Sequence, residues 1–164
     1  VAQPPVVRLE ASPANAEGVG AISVRDLVRA PLRMRPDRLI VGEVRGAEAL
    51  DLLQALNTGH QGSLCTVHAN GPSDALRRVT TLALFGGVGL PHAAIREQLC
   101  ASVDALVQVS RGLSGSRQVV SISEVREPGA ATEVRPLFAR RAGDLVAVAS
   151  PTRAPRRSVA ETAS

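Results

Sequence analysis

Apolar positions recur along this chain with helical spacing in some stretches and as short unbroken runs in others, and the two patterns divide it into elements. Residues 1–8 read as a short opening strand behind a proline pair, with Val6, Val7 and Leu9 apolar. Residues 14–20 form a loop marked by Asn15, Gly18 and Gly20. Ser23 reads as a helix N-cap, with Asp26 three residues on as a variant capping box, and Leu27, Val28, Leu32 and Met34 supply a helical face. Pro31 lacks an N–H and clashes with the preceding turn, so it should break or kink that helix.

Residues 38–42 hold Leu39, Ile40 and Val41 in succession, a run that suits a parallel strand covered on both faces. A helix over residues 46–56 follows, with Leu50, Leu53 and Leu56 on one side and Thr58-Gly59 at its end. Residues 63–67 form the next short strand. Pro72 or Ser73 opens a helix that runs through Leu76 and Val79 to Leu84, residues 86–89 turn, and Pro91 begins the first turn of another helix carrying Ile95, Leu99 and Val103. Residues 105–109 and 118–122 read as strands around a Gly/Ser turn, and residues 133–138 and 145–148 as a final antiparallel pair. Alternating strands and helices followed by terminal hairpins predict an α/β domain over residues 1–149. From Pro151 the composition turns to Pro, Arg, Ser, Thr and Ala, which predicts a disordered tail over residues 150–164.

Composition narrows this picture. The chain has 164 residues, enough for one domain with a modest core, and with 45% hydrophobic but only 1% aromatic residues that core must be aliphatic. The absence of Trp and Tyr argues against single-stranded nucleic-acid binding by base stacking. All 19 basic residues are arginine, and the net charge of +4 is spread along the chain, so direct nucleic-acid binding is not implied. Cys65 and Cys100 form no CxxC pair and read as two buried free thiols in a reducing cytoplasm. No apolar run reaches the roughly 18 residues that span a bilayer. The chain starts at Val1 rather than Met, which suggests a piece cut from a longer protein, with processing as the competing explanation.

Candidate chemistry concentrates in residues 35–70. Glu43 ends the first apolar run, and His60 and His68 bracket the second. In a parallel α/β sheet the carboxyl ends of neighbouring strands open onto one ligand-binding crevice. A carboxylate there can hold a Mg²⁺-bound water or orient the water that attacks a γ-phosphate. Gly42 leaves room for a close phosphate, and Thr66 alternates with Val67 so as to share the face of His68. Arg33, Arg35, Arg38 and Arg45 lie near Glu43 in sequence, and arginine forks match phosphate oxygens. Two plainer accounts stand beside this one. Glu43 can be a surface carboxylate paired with Arg45 or Arg38, and His60, Cys65, His68 and Glu43 are all competent zinc ligands, although their spacing matches no compact zinc motif. No GxxxxGK[ST] loop occurs, and the chain contains no lysine.

The stretch RMRPDRLIVGEVRGAEALDLLQALNTGHQGSLCTVHAN resembles the motor ATPases of type II and type IV secretion, and within them the Flp (tight-adherence) pilus assembly ATPases. VVRLE, SVRDLVRAPLRMRPDR and IREQLCASVDALVQVSR extend the resemblance from about Gln3 to about Phe138. It implies the C-terminal half of a RecA-like P-loop NTPase domain, with a mainly parallel sheet, flanking helices and terminal antiparallel strands. Leu39-Ile40-Val41-Gly42-Glu43 is similar to the family's Walker B element, which makes Glu43 the catalytic carboxylate. Thr58-Gly59-His60 and Thr66-Val67-His68 are similar to its histidine box, with His68 sensing the γ-phosphate and Gly42, Arg45, His60 and Thr66 near the nucleotide. The Walker A loop, the Asp box and an N-terminal domain would precede Val1. ATP and Mg²⁺ follow as cofactors, a homo-hexamer and inner-membrane platform proteins as partners, and the cytoplasmic face of the membrane as location. Without a phosphate cradle the segment alone should be inactive. The alternatives are a catalytically inactive truncated paralogue that serves as an assembly or regulatory module, and a metal-dependent hydrolase.

Overall fold

A computed structural model describes residues 6–153 apart from 88, 113–114 and 130–132. The elements run α1 (Val24–Leu32), β1 (Ile40–Val41), α2 (Glu48–Asn57), β2 (Leu64–Cys65), α3 (Pro72–Leu84), α4 (His92–Ser102), β3 (Ala105–Arg111), β4 (Arg117–Val125), β5 (Val134–Arg141) and β6 (Asp144–Ala147). β1 and β2 pair in parallel through the α2 crossover, with Ile40 opposite Leu64 and Val41 opposite Cys65. The other four strands form an antiparallel sheet in sequence order.

The helices form where the sequence places them. Ser23 and Asp26 make the full reciprocal capping box at the start of α1. Pro31 does not break α1: it falls in the last turn, and the helix ends one residue later at Leu32. α2 stops at Thr58, and Gly59 follows with φ +110°, a conformation that favours glycine. α3 begins with Pro72 at its first turn, whereas Pro91 is the N-cap of α4 rather than its first helical residue.

The core lies among α2, α3, α4 and one end of the antiparallel sheet, built from Val28, Val44, Leu50, Leu53, Leu76, Ile95, Leu99, Cys100 and Val125. It is aliphatic, and both phenylalanines, Phe85 and Phe138, are exposed. Arg25 and Arg29 of α1 converge on the buried carboxylate of Asp51, at 2.6 and 2.7 Å, and tie α1 to α2. The carboxylate is buried while Arg25 and Arg29 keep 30% and 54% exposure, so losing both arginines would leave the acid's charge buried without a partner.

Further expectations change, and the strand expected at 63–67 shrinks to Leu64–Cys65. Residues 6–8 form no strand; Val6 and Val7 are exposed, no neighbouring strand receives them, and the N-terminal segment closes instead through a bridge between Ser12 and Ile22. The strand at 38–42 shrinks to Ile40–Val41, and only one of its faces is covered: Leu39 and Val41 turn inward while Ile40 is 78% exposed beside Leu64 at 65%. Cys65, in register with Val41, is exposed, whereas Cys100 is a buried thiol. Residues 150–153 pack against the body: Thr152 bonds Glu124 through both its amide and its hydroxyl, at 2.8 Å each, and Arg153 donates to the carbonyls of Cys100, Ala101, Val103 and Val125 at the end of α4 and on β4. The remainder of the expected tail, residues 154–164, lies outside the described residues, as do residues 1–5 of the opening strand. Among the described residues no helix is long and apolar enough to cross a membrane.

Candidate active site

The carboxyl ends of β1 and β2 carry the site. Parallel pairing continues past both strands, with the Val44 amide donating to the Thr66 carbonyl at 2.9 Å. The Thr66 hydroxyl donates to the Gly42 carbonyl and laces the two chains together just beyond the last strand residues. Val67 turns inward onto the core, which leaves Thr66 and His68 exposed on the other side. Beyond the last strand residues His68 meets the first strand's acid: His68 Nε2 lies 3.4 Å from Glu43 Oε1. The other carboxylate oxygen, Oε2, meets Arg45 Nη2 at 2.9 Å. The surface pairing with Arg45 and the meeting with His68 are therefore realised together on one carboxylate.

Glu43 is poised rather than locked. Its side chain keeps 30% exposure, and its partners are open, Arg45 at 71% and His68 at 84%. A Cβ at Gly42 would meet no atom within 4 Å, so the strand end just before Glu43 is open. A carboxylate and an imidazole in mutual reach and partly open to solvent, with an arginine fork alongside, can orient a water and place positive charge near an anionic group.

His60 belongs to a different part of the molecule. It precedes the amino end of β2, whereas His68 follows the carboxyl end. Its Nδ1 lies 3.0 Å from the Ala55 carbonyl, and because a carbonyl only accepts, Nδ1 carries the proton. Its own carbonyl accepts the Ser63 hydroxyl at 2.6 Å, and Ser63 Oγ in turn accepts the Leu39 amide at 2.9 Å. His60 thus ties the end of α2 to the start of the β1–β2 pair. The zinc account fails on arrangement: among the described residues no three His, Cys, Asp or Glu side chains gather as a metal site. Arg38 lies along Gly62, where an added Cβ would come within 3.1 Å of its Nε.

The sequence reading missed Glu48. Its buried carboxylate Oε1 accepts the amides of Arg45 at 2.7 Å and Gly46 at 2.9 Å. The available signal was an acid at the start of a helix whose N-cap, Ala47, has no side-chain acceptor.

Comparison with known proteins identifies the family and the fold. The family described as "Type II/IV secretion system protein" matches residues 3–164. A putative conjugal transfer protein of Mycobacterium tuberculosis is 51% identical over 124 residues, which cover 76% of this chain and 35% of that protein. The type IV secretion system protein PtlH of Bordetella pertussis is 39% identical over 106 residues, covering 62% of this chain and 31% of that one. Among solved structures, the VirB11 ATPase of the Brucella suis type IV secretion system, in complex with sulphate, matches with a TM-score of 0.58 and 31% identity over 63% of this chain and 32% of its own. The chain therefore spans about a third of the length of these relatives, and its fold is the RecA-like fold of that ATPase.

Proposed function

The chain belongs to the type II/IV secretion system protein family, and from that premise we propose that it forms part of an ATP-hydrolysing secretion motor and contributes the hydrolytic side of the nucleotide site. The observation that carries the reading is the meeting of Glu43 with His68 at 3.4 Å where two parallel strands end. Glu43 orients the attacking water. His68, on the adjacent strand end, responds to the γ-phosphate. Arg45 holds Glu43 until a phosphate competes for its guanidinium, and the bare Gly42 lets the nucleotide approach. Thr66 fixes the spacing of the two strand ends.

ATP, when bound, would bring the phosphoanhydride, and Mg²⁺ would supply charge neutralisation of its oxygens. The single partly exposed carboxylate of Glu43 would fit that metal's habit of taking few protein ligands together with phosphates and water. The phosphate cradle is not among these residues, since the chain has neither a GxxxxGK[ST] loop nor a lysine. The complete protein therefore supplies it from elsewhere, and the 164 residues alone should not turn over ATP. A ring of identical subunits, most simply a hexamer, working at the cytoplasmic face of the membrane through platform proteins belongs to the same proposal, as does a role in Flp-type pilus assembly.

The test is Glu43→Gln in the complete protein. Steady-state hydrolysis should fall by about 10²–10⁴-fold, the range for a positioned acid–base group, while nucleotide affinity stays within about twofold because the cradle is intact. Lost affinity in a folded variant would give Glu43 a binding or structural role instead. Glu43-dependent turnover by the isolated segment would refute the division of labour.

A further inference from the structure

Glu48 is a buried acid at the first position of α2, only 7% exposed, and among the described residues no basic side chain forms an ion pair with it. A carboxylate in such a place ordinarily serves the free amides of the helix's first turn. This one does not. The backbone closes that turn itself, with the Ala49 amide on the Gly46 carbonyl at 3.1 Å and the Leu50 amide on the Ala47 carbonyl at 3.2 Å. Oε1 of Glu48 reaches back instead to the amides of Arg45 and Gly46, which belong to the loop leaving β1. Both bonds are short, at 2.7 and 2.9 Å, and both involve a charged acceptor, the stronger kind of hydrogen bond.

That loop is where the proposed chemistry hangs. Glu43 lies two residues before Arg45, and the Arg45 guanidinium holds Glu43 Oε2 at 2.9 Å. A second observation comes from the other oxygen of Glu48. A Cβ at Gly46 would stand 3.0 Å from Oε2, so glycine there is what lets the carboxylate lie flat against the loop. Gly46 has no left-handed φ, and alanine could adopt its backbone. The constraint is therefore the contact and not the conformation.

We propose that Glu48 is a positioning residue for hydrolysis: by clamping the amides of Arg45 and Gly46 it sets the path of the loop that carries Glu43 and Arg45. The inference rests on the reading of Glu43 as the hydrolytic carboxylate. Glu48 touches no substrate, so its effect should appear in turnover and not in nucleotide affinity.

The experiment compares Glu48→Ala, Glu48→Gln, Gly46→Ala and Glu43→Gln in the complete protein, measuring kcat, KM for ATP and thermal midpoint. Glu48→Ala should lower kcat about tenfold with KM within about twofold, the mark of an interaction made in the transition state only. Glu48→Gln keeps an acceptor oxygen at the same reach and should recover most of kcat. Gly46→Ala pushes on the carboxylate and should lower kcat with little change in midpoint. A Glu48→Ala variant that loses thermal stability but keeps kcat overturns the proposal, and so does a Glu48→Gln variant no better than Ala. Should Glu48→Ala fail to fold, Gly46→Ala decides: unchanged kcat overturns the proposal and lowered kcat supports it. Wild-type turnover in Glu43→Gln would sink the underlying site assignment, whereas an inactive Glu43→Gln beside a fully active Glu48→Ala would remove only the positioning role.

Discussion

Two acids at strand ends, Glu43 after β1 and Glu124 near the end of β4, live in opposite circumstances. Glu124 is 3% exposed and saturated, taking the amide and hydroxyl of Thr152 at 2.8 Å and the Arg135 guanidinium at 3.1 Å. These donors, led by Thr152, hold its pKa at about 2, well below the usual 4.5. Glu43 has two side-chain partners, both largely in solvent, and keeps 30% exposure itself beside the open Gly42. The regions around them differ in the same way. Residues 150–153 clasp the antiparallel sheet to the end of α4, while the β1–β2 pair leaves the side chains of Ile40 and Leu64 uncovered. A saturated carboxylate stabilises a fold, whereas an under-partnered one beside open space can take on a substrate.

Mutations that cross these roles test the contrast. The largest effect is expected at the open site: His68→Ala in the complete protein should lower turnover by about 10²-fold while leaving the thermal midpoint unchanged, because His68 is exposed and has no packing to lose. Unchanged turnover would remove His68 from the mechanism. At the closed site the signs reverse. Arg153→Ala strips the carbonyls at the end of α4 of their donor and should cost about 2 kcal/mol of stability, read from chemical denaturation, with hydrolysis per folded molecule unaffected.

Acid should distinguish the regions next. Because the folded pKa of Glu124 is depressed, its stabilisation is fully present above about pH 4.5 and is lost as the pH falls toward about 2. Glu124→Gln should therefore flatten the stability profile over that window, and a parallel profile would show that the Thr152 clasp is not what acid breaks. The smallest effect is expected at Ile40, whose exposed side chain should tolerate threonine within about 0.5 kcal/mol in the isolated segment. A larger loss in the complete protein would show that this face is covered there.

The legible parts of the sequence were those governed by local rules. The capping box fixed the start of α1, Pro72 and Thr58-Gly59 marked helix ends within a residue or two, and the turn residues placed the antiparallel hairpins. The residue alternation Thr66-Val67-His68 put Thr66 and His68 on one face, which the structure shows to be the exposed one. The apolar run at Leu39 to Val41 misled because hydrophobicity does not say whether a second layer is present to cover it. The tail composition at Pro151 misled at its start because Thr152 and Arg153 find partners far away in sequence.

By itself, then, the sequence determined the order and kind of the elements from α1 onward, the aliphatic core and the acid and histidine at successive strand ends, since each follows from spacing and backbone chemistry over a few residues. Only the tertiary structure decided that His68 meets Glu43, that the carboxylate of Asp51 is buried against Arg25 and Arg29, and that Glu124 is buried beneath Thr152. Those outcomes depend on which strand lies beside which and on side chains tens of residues apart, information that no local pattern carries.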